Sequence, residues 1–217
     1  MNLSLKIPGF RDEPVPNGFF KQEQDTKHLA LVFPGLGYTN QMPILYYAGR
    51  TLELQGADVL RVDYAYNLRS EYETLTFAGK MQWLLTDVTA AFQIALSQRS
   101  YAKITLVGKS LGTLAMGHIL THSDFSHSVQ CVWLTPLLRN ERLRDQIKKV
   151  PHKAFFVIGT ADPFYDPGIL KELETATSGK SVVIPGADHG LEIHADMGRS
   201  LQALREWVKE LEIFLKE

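Results

Sequence analysis

Disulfide chemistry is absent from this chain, whose 217 residues include one cysteine, Cys131. A lone thiol has no partner within the chain and fits a reducing compartment. It lies in the apolar run Val129–Leu134, which makes a buried core thiol the expectation. A surplus of charge of one sign is missing too. Lysine and arginine number 23, aspartate and glutamate 24, for a formal net charge of −1. That balance gives no electrostatic reason to expect nucleic acid or an anionic membrane as partner. No apolar window approaches the length needed to cross a bilayer. The N-terminus, Met1–Pro8, alternates apolar and polar residues and lacks the basic start and continuous apolar stretch of a signal peptide. A cytoplasmic location is therefore expected. There is also no internal repeat, low-complexity tract or linker, so residues 1–217 are read as one domain. A chain of this length buries enough surface to need no disulfide or structural metal.

What is present is alternation. Residues 1–8 read as a strand, the turn-rich stretch Arg11–Gly18 follows, and Phe19–Gln24 reads as a second strand. Leu29–Phe33 is apolar on both faces, the pattern of a strand sandwiched between helical layers. Helical spacing then marks Ile44–Gln55 through Leu45, Ala48 and Leu52, with Tyr47 alongside. Strand Asp58–Tyr64 and the long helix Ala78–Gln98 come next. Strand Lys103–Val107 is followed by a helix-like segment from Thr113. The remainder reads as strand Val129–Leu134, helix Glu141–Lys149 closed by Pro151, strand Ala154–Ile158, helix Gly168–Ala176 and strand Ser181–Ile184. A closing helix, Met197–Leu215, carries the apolar stripe Leu201, Leu204, Val208, Leu211 and Leu215. Repeated strand–helix units predict an α/β fold, with a mostly parallel sheet flanked by helices on both faces. The first two strands form its antiparallel edge. Only 19 residues, 135–153, separate Leu134 from Ala154, which leaves room for one short helix and no lid.

The pentapeptide Gly108-Lys109-Ser110-Leu111-Gly112 joins a β-branched run to a helix, the setting of a nucleophile elbow. A serine at the apex of so sharp a turn leaves no space for side chains two residues to either side, and glycine supplies that space. In an open parallel sheet, ligands bind beyond the carboxyl ends of the strands. Two more strands end there in reactive groups. Ala154–Ile158 runs into Gly159-Thr160-Ala161-Asp162, and Ser181–Ile184 runs into Asp188-His189-Gly190. Ser110 needs a base, His189 is suited to that role, and a carboxylate holds the imidazole's tautomer. Asp162 is the choice of acid over Asp166, four residues on, and over Asp188, which is expected to brace its own loop.

An oxyanion site needs two N–H donors. Leu111 follows the serine, and the loop Pro34-Gly35-Leu36-Gly37 offers a second, taken as Leu36 with Gly37 and Gly35 as alternatives. Tyr38, Tyr64, Tyr66, Phe164 and Tyr165 fall at the same end of the sheet and are candidates to line a substrate pocket. Asp63 is expected to hydrogen-bond a neighbouring loop, and the segment Arg69–Glu73 to be solvated. His118, His122 and His127 are read as solvated or helix-capping. Asp188, His189, Glu192, His194 and Asp196 lack the spacing of a helical zinc motif, so no metal is expected. The glycine loop lacks the acidic partner of a dinucleotide fingerprint, and no Walker lysine pattern occurs, so no cofactor is expected.

Through these three motifs the sequence resembles the α/β-hydrolase superfamily from Leu29 to Leu215. Within it the resemblance implies a small lidless member of the dienelactone-hydrolase-like and carboxylesterase-like branch. Two departures are plain: Lys109 stands where many members have His, Asp or Glu, and serine replaces the cysteine of true dienelactone chemistry. The resemblance implies a serine esterase acting on a small-molecule acyl compound. Thioesterase, peptidase or acyltransferase chemistry with the same groups, or a non-catalytic binding scaffold, remain the alternatives.

Overall fold

A computed structural model describes residues 2–123, 127–150 and 152–217. Among these residues eight strands form one sheet: β1 (Asn2–Leu3), β2 (Asn17–Phe20), β3 (His28–Phe33), β4 (Asp58–Val62), β5 (Lys103–Lys109), β6 (Ser128–Leu134), β7 (Lys153–Gly159) and β8 (Lys180–Ile184). Their spatial order is β1-β2-β4-β3-β5-β6-β7-β8. The pairs β1·β2 and β2·β4 are antiparallel and every later pair is parallel, as the sequence pattern predicts. The chain steps from β3 outward to β4, then crosses back to β5 on the other side of β3. That reversal is a topological switch point, and the loops leaving β3 and β5 diverge around a crevice there.

Seven α-helices accompany the strands among the described residues: α1 (Pro43–Leu54), α2 (Ser70–Thr74), α3 (Phe77–Leu96), α4 (Leu111–His122), α5 (Glu141–Lys149), α6 (Pro167–Thr177) and α7 (Met197–Lys216). The two-residue period of the strands divides the core cleanly. Leu29, Leu31 and Phe33 of β3 join the cluster under α3 to α6, whereas Ala30 and Val32 join the one under α1 and α7. Both faces of β3 are fully buried, which is why its sequence is a continuous apolar run rather than an alternating one. Cys131 lies in the first cluster, and burial pushes its thiol far above the ordinary range. It is a core residue. No helix among the described residues is long and apolar enough to cross a membrane.

Several local expectations are corrected. The N-terminal strand is only Asn2–Leu3, because the chain then leaves the sheet and Pro8 bridges Pro14 instead. Met1 and Pro151, the latter read as closing α5, lie outside the described residues. The buried face of α7 is Ser200, Ala203, Trp207, Leu211, Phe214 and Leu215, and Leu201 is 58% exposed. Trp207 and Phe214 bury more apolar surface than the leucines assigned to that stripe, so they set the helix's rotation. Tyr47 likewise points outward, and Ile44 takes the core position on α1. The segment after Tyr66 is not simply solvated. It folds into α2, and Arg69 pairs with Glu13 and Glu71 while its guanidinium lies over the Trp83 ring.

Candidate active site

Ser110 follows β5 and stands at the N-cap of α4 in a conformation that L-residues rarely adopt, with φ 51° and ψ −113°. Such backbone costs about 1–3 kcal/mol and persists only where its surroundings enforce it. Here they do. The Ser110 N–H donates to Leu134 O at 3.1 Å, and its carbonyl accepts from the Thr113 N–H at 2.9 Å and from Thr113 Oγ1 at 2.6 Å. A Cβ on Gly108 would fall 2.5 Å from Gly112 O and from Met116 Sδ. The two glycines are therefore a steric requirement of the turn.

The loops after β7 and β8 are held together largely through their backbones. Thr160 N–H donates to Ile184 O at 3.0 Å, Ala161 N–H to Ala187 O at 2.9 Å, and Gly186 N–H to Thr160 Oγ1 at 2.8 Å. A Cβ on Gly159 would lie 2.0 Å from Ala187 O, so only glycine permits that approach. This contact brings Asp162 to His189: His189 Nδ1 lies 2.7 Å from Asp162 Oδ2. The other ring nitrogen, Nε2, lies 2.8 Å from Ser110 Oγ. The Asp162 side chain is completely buried, and its second oxygen accepts the Phe164 N–H at 2.8 Å. The His189 side chain keeps 30% exposure, which leaves the chain of three groups open to a ligand on one side.

The rival acids have other work. Asp166 caps α6, accepting the Ile169 N–H at 3.0 Å. Asp188 Oδ1 accepts the N–H groups of Gly190 and Glu192, at 2.7 and 3.1 Å, and so shapes the turn that presents His189. Asp63 accepts from Asn40 Nδ2 at 2.7 Å and thereby ties the loop after β4 to the one after β3.

That β3 loop closes on the serine. Gly35 is so near that an added Cβ would sit 3.3 Å from Ser110 Cβ. Leu36 is 55% exposed, and Gly37 adopts a left-handed φ of 73°. Among the described residues neither the Leu36 N–H nor the Leu111 N–H donates to another backbone group. Gly35, Gly37, Tyr38, Tyr64 and Leu68 line a cavity of about 100 Å³ beside this loop. A larger concavity of about 840 Å³ is lined by Phe77, Met81 and Leu85 of α3, His118 of α4 and Arg142 of α5, and not by Ser110.

The aromatic candidates divide. Tyr38 lines the small cavity, and the Phe164 ring lies 5.4 Å from the His189 ring, centroid to centroid. Tyr64 lines the small cavity as well, from within the core. It is 5% exposed, donates to Pro34 O at 2.8 Å and stacks on Tyr66. Tyr66 is a core residue bonded to Asp87 Oδ2, and Tyr165 packs partly against the larger core. His118 is neither solvated nor a cap, since its Nε2 meets Thr89 Oγ1 at 3.1 Å and links α4 to α3.

The sequence marks Lys109 only as a departure from the family pattern. Lysine is rarely buried, yet this one is 2% exposed, and its Nζ donates to His189 O at 3.0 Å. Burial pushes the ammonium down to about 8, against the opposing pull of Asp162 and Asp188. Its position immediately before the serine was the one available signal.

A parallel α/β sheet with a strained serine at its switch point, bonded through histidine to a buried aspartate, defines a recognisable class. The chain belongs to the alpha/beta hydrolase family, whose domain matches residues 27–216. No curated protein sequence matches it at a significant level. Among solved structures it is similar to Est1E from Butyrivibrio proteoclasticus with bound ferulic acid, at 16% identity and a TM-score of 0.73, covering 96% of this chain and 97% of that one. It is also similar to the esterase Pf2001 of Pyrococcus furiosus, at 14% identity and a TM-score of 0.74, covering 100% and 92%. A third is XC6422 from Xanthomonas campestris, described as an a/b serine hydrolase without lid, at 18% identity and a TM-score of 0.70, covering 99% and 94%.

Proposed function

We propose that the protein is a serine hydrolase that cleaves a small carboxylic ester through an acyl-enzyme intermediate. The observation that carries this reading is the continuous chain Asp162–His189–Ser110, with separations of 2.7 and 2.8 Å. Ser110 Oγ attacks the ester carbonyl carbon while its proton passes to His189 Nε2. Asp162 holds the Nδ1–H tautomer and stabilises the imidazolium that forms. The carbonyl electron pair moves onto oxygen, where the Leu111 and Leu36 N–H groups receive it. Preorganised donors of this kind are each worth on the order of 10²–10³ in rate. As the tetrahedral centre collapses, the C–O bond to the alcohol breaks, and the imidazolium proton leaves with the alcohol oxygen. Water then attacks the acyl-enzyme with His189 again as base, releasing the acid and restoring the Ser110 hydroxyl.

On this reading the cavity beside the Gly35 loop, which packs on Ser110, takes a small group of the substrate. About 100 Å³ falls well below the roughly 300–1,000 Å³ that drug-sized ligands occupy. The connection from β6 to α5 is only residues 135–140, too short to fold over a long chain. The similarity to a ferulate-bound protein and to an esterase agrees with ester chemistry. A series of p-nitrophenyl esters of increasing acyl length tests the reading. The highest kcat/KM is expected for the shortest members, and a clear preference for long chains overturns the assignment of the cavity.

A further inference from the structure

Lys109 touches both loops that the proposed chemistry depends on. Its Nζ donates to the backbone carbonyl of His189 at 3.0 Å and lies 4.5 Å from the centroid of the Tyr38 ring. Tyr38 is itself fixed at two points. Its Oη accepts the Ile44 N–H at the start of α1, at 3.1 Å, and its own N–H donates to Gly35 O at 3.3 Å. Gly35 in turn packs against Ser110 Cβ and the Lys109 carbonyl. One ammonium thus sits between the histidine loop and the proposed oxyanion loop, on the residue next to the serine.

We propose that Lys109 is a positioning residue whose ammonium ties the His189 loop to the Gly35–Tyr38 loop and so holds the imidazole and the oxyanion donors in register around Ser110. The inference rests on the serine-hydrolase reading. A charged donor to a carbonyl is about twice as strong as a neutral one, and the attraction to the Tyr38 face exists only for the cation. Packing alone does not call for lysine here, because an apolar side chain of similar length fills the same space without the desolvation cost.

The charge state is therefore a handle. The groups around the ammonium are Asp162, Asp188, His189 and Tyr38, and Glu192 acts on Tyr38 in turn. Tyr38 is pushed up to about 12 by burial, so it stays neutral while Lys109, at about 8, loses its proton. Both tethers weaken as that proton leaves, and kcat falls. Stability moves the other way. Between about pH 8 and the ordinary lysine value of about 10.5, the folded state binds fewer protons than the unfolded state at this site, so folding gains with rising pH. Activity lost to a loosened site and activity lost to alkaline unfolding are distinguishable on that basis.

The test compares wild type, Lys109→Met and Lys109→Arg across pH. It reads kcat and KM on p-nitrophenyl acetate, thermal unfolding, and fluorophosphonate labelling at Ser110. Wild-type kcat is expected to fall through a midpoint near pH 8 with no loss of thermal stability. The Met variant is expected to lose kcat on the order of tenfold to a hundredfold with little change in KM, as small misplacements of reacting groups do. Its alkaline limb near pH 8 should vanish, with labelling slower but still confined to Ser110. Arginine, which stays charged, should retain more kcat than Met and also lose that limb. Met kinetics equal to wild type, alkaline limb included, overturn the inference alone, as does an Arg variant that keeps the limb. Folded wild type in which Ser110 is not labelled overturns the hydrolase reading and this inference with it.

Discussion

The Cα of Gly112 faces the carbonyl oxygen of Phe33 so closely that an added Cβ would lie 2.1 Å from it. That contact seats the first turn of α4 on the end of β3, and so places Ser110 beside the loop that starts at Pro34. A methyl group there displaces either the helix or the strand, and neither is free to move within the packed sheet. Gly112→Ala is expected to destabilise the fold by at least the roughly 1–3 kcal/mol of an overpacked core. Urea unfolding reads the effect, and an unchanged midpoint contradicts the steric account.

Asp162 and Asp166 lie four residues apart in one loop but do different things. Asp162→Asn keeps an acceptor for the Phe164 N–H but disturbs the bond to His189 Nδ1. A loss of about 10⁴ in kcat is expected for a wrongly held imidazole tautomer. Asp166→Ala removes only the cap of α6 and should cost about 1 kcal/mol of stability, with kcat unchanged. Steady-state kinetics and denaturation on the two variants check the division, and a reversal of the two phenotypes refutes it.

His28 gives the fold an acid limit. Its Nε2 meets Thr105 Oγ1 at 2.8 Å, and burial, with Lys103 adding to it, pushes the imidazole down to about 4. As pH falls, the unfolded chain takes up this proton near the ordinary value of about 6.5, whereas the folded chain resists until about 4. Stability is therefore full above the unfolded value and drains away between the two. The loss from His28 between about pH 7 and pH 5 amounts to about 2 kcal/mol. His118, also lowered to about 4 by burial, adds a loss of the same sign. His28→Gln should flatten the acid dependence of urea unfolding by His28's share, and an equally steep curve contradicts it.

Much of this was legible in the sequence because it is local. Strand ends carrying Ser110, Asp162 and His189 fall where short apolar runs stop, and the parallel sheet aligns those ends without further information. The rotation of α7 was not legible, because Leu201, Leu204 and Trp207 offer competing stripes and only the shape of the opposing sheet chooses between them. Tyr66 looked like a pocket residue from its position after a strand. Its partner Asp87 lies 21 residues away on α3, a pairing that local pattern does not reveal. Lys109 is the sharpest case. Its type argues for solvent, and its burial depends on a carbonyl 80 residues later in the chain.

The central claim is that Ser110 is an activated nucleophile, and fluorophosphonate labelling with the modified peptide located by mass spectrometry tests it most directly. Labelling confined to Ser110 is expected in the wild type. It should be absent in Ser110→Ala and strongly slowed in His189→Ala, since the proton acceptor 2.8 Å from the hydroxyl is then gone. Folded wild-type protein that takes up no label, or label that persists in Ser110→Ala, would contradict the claim.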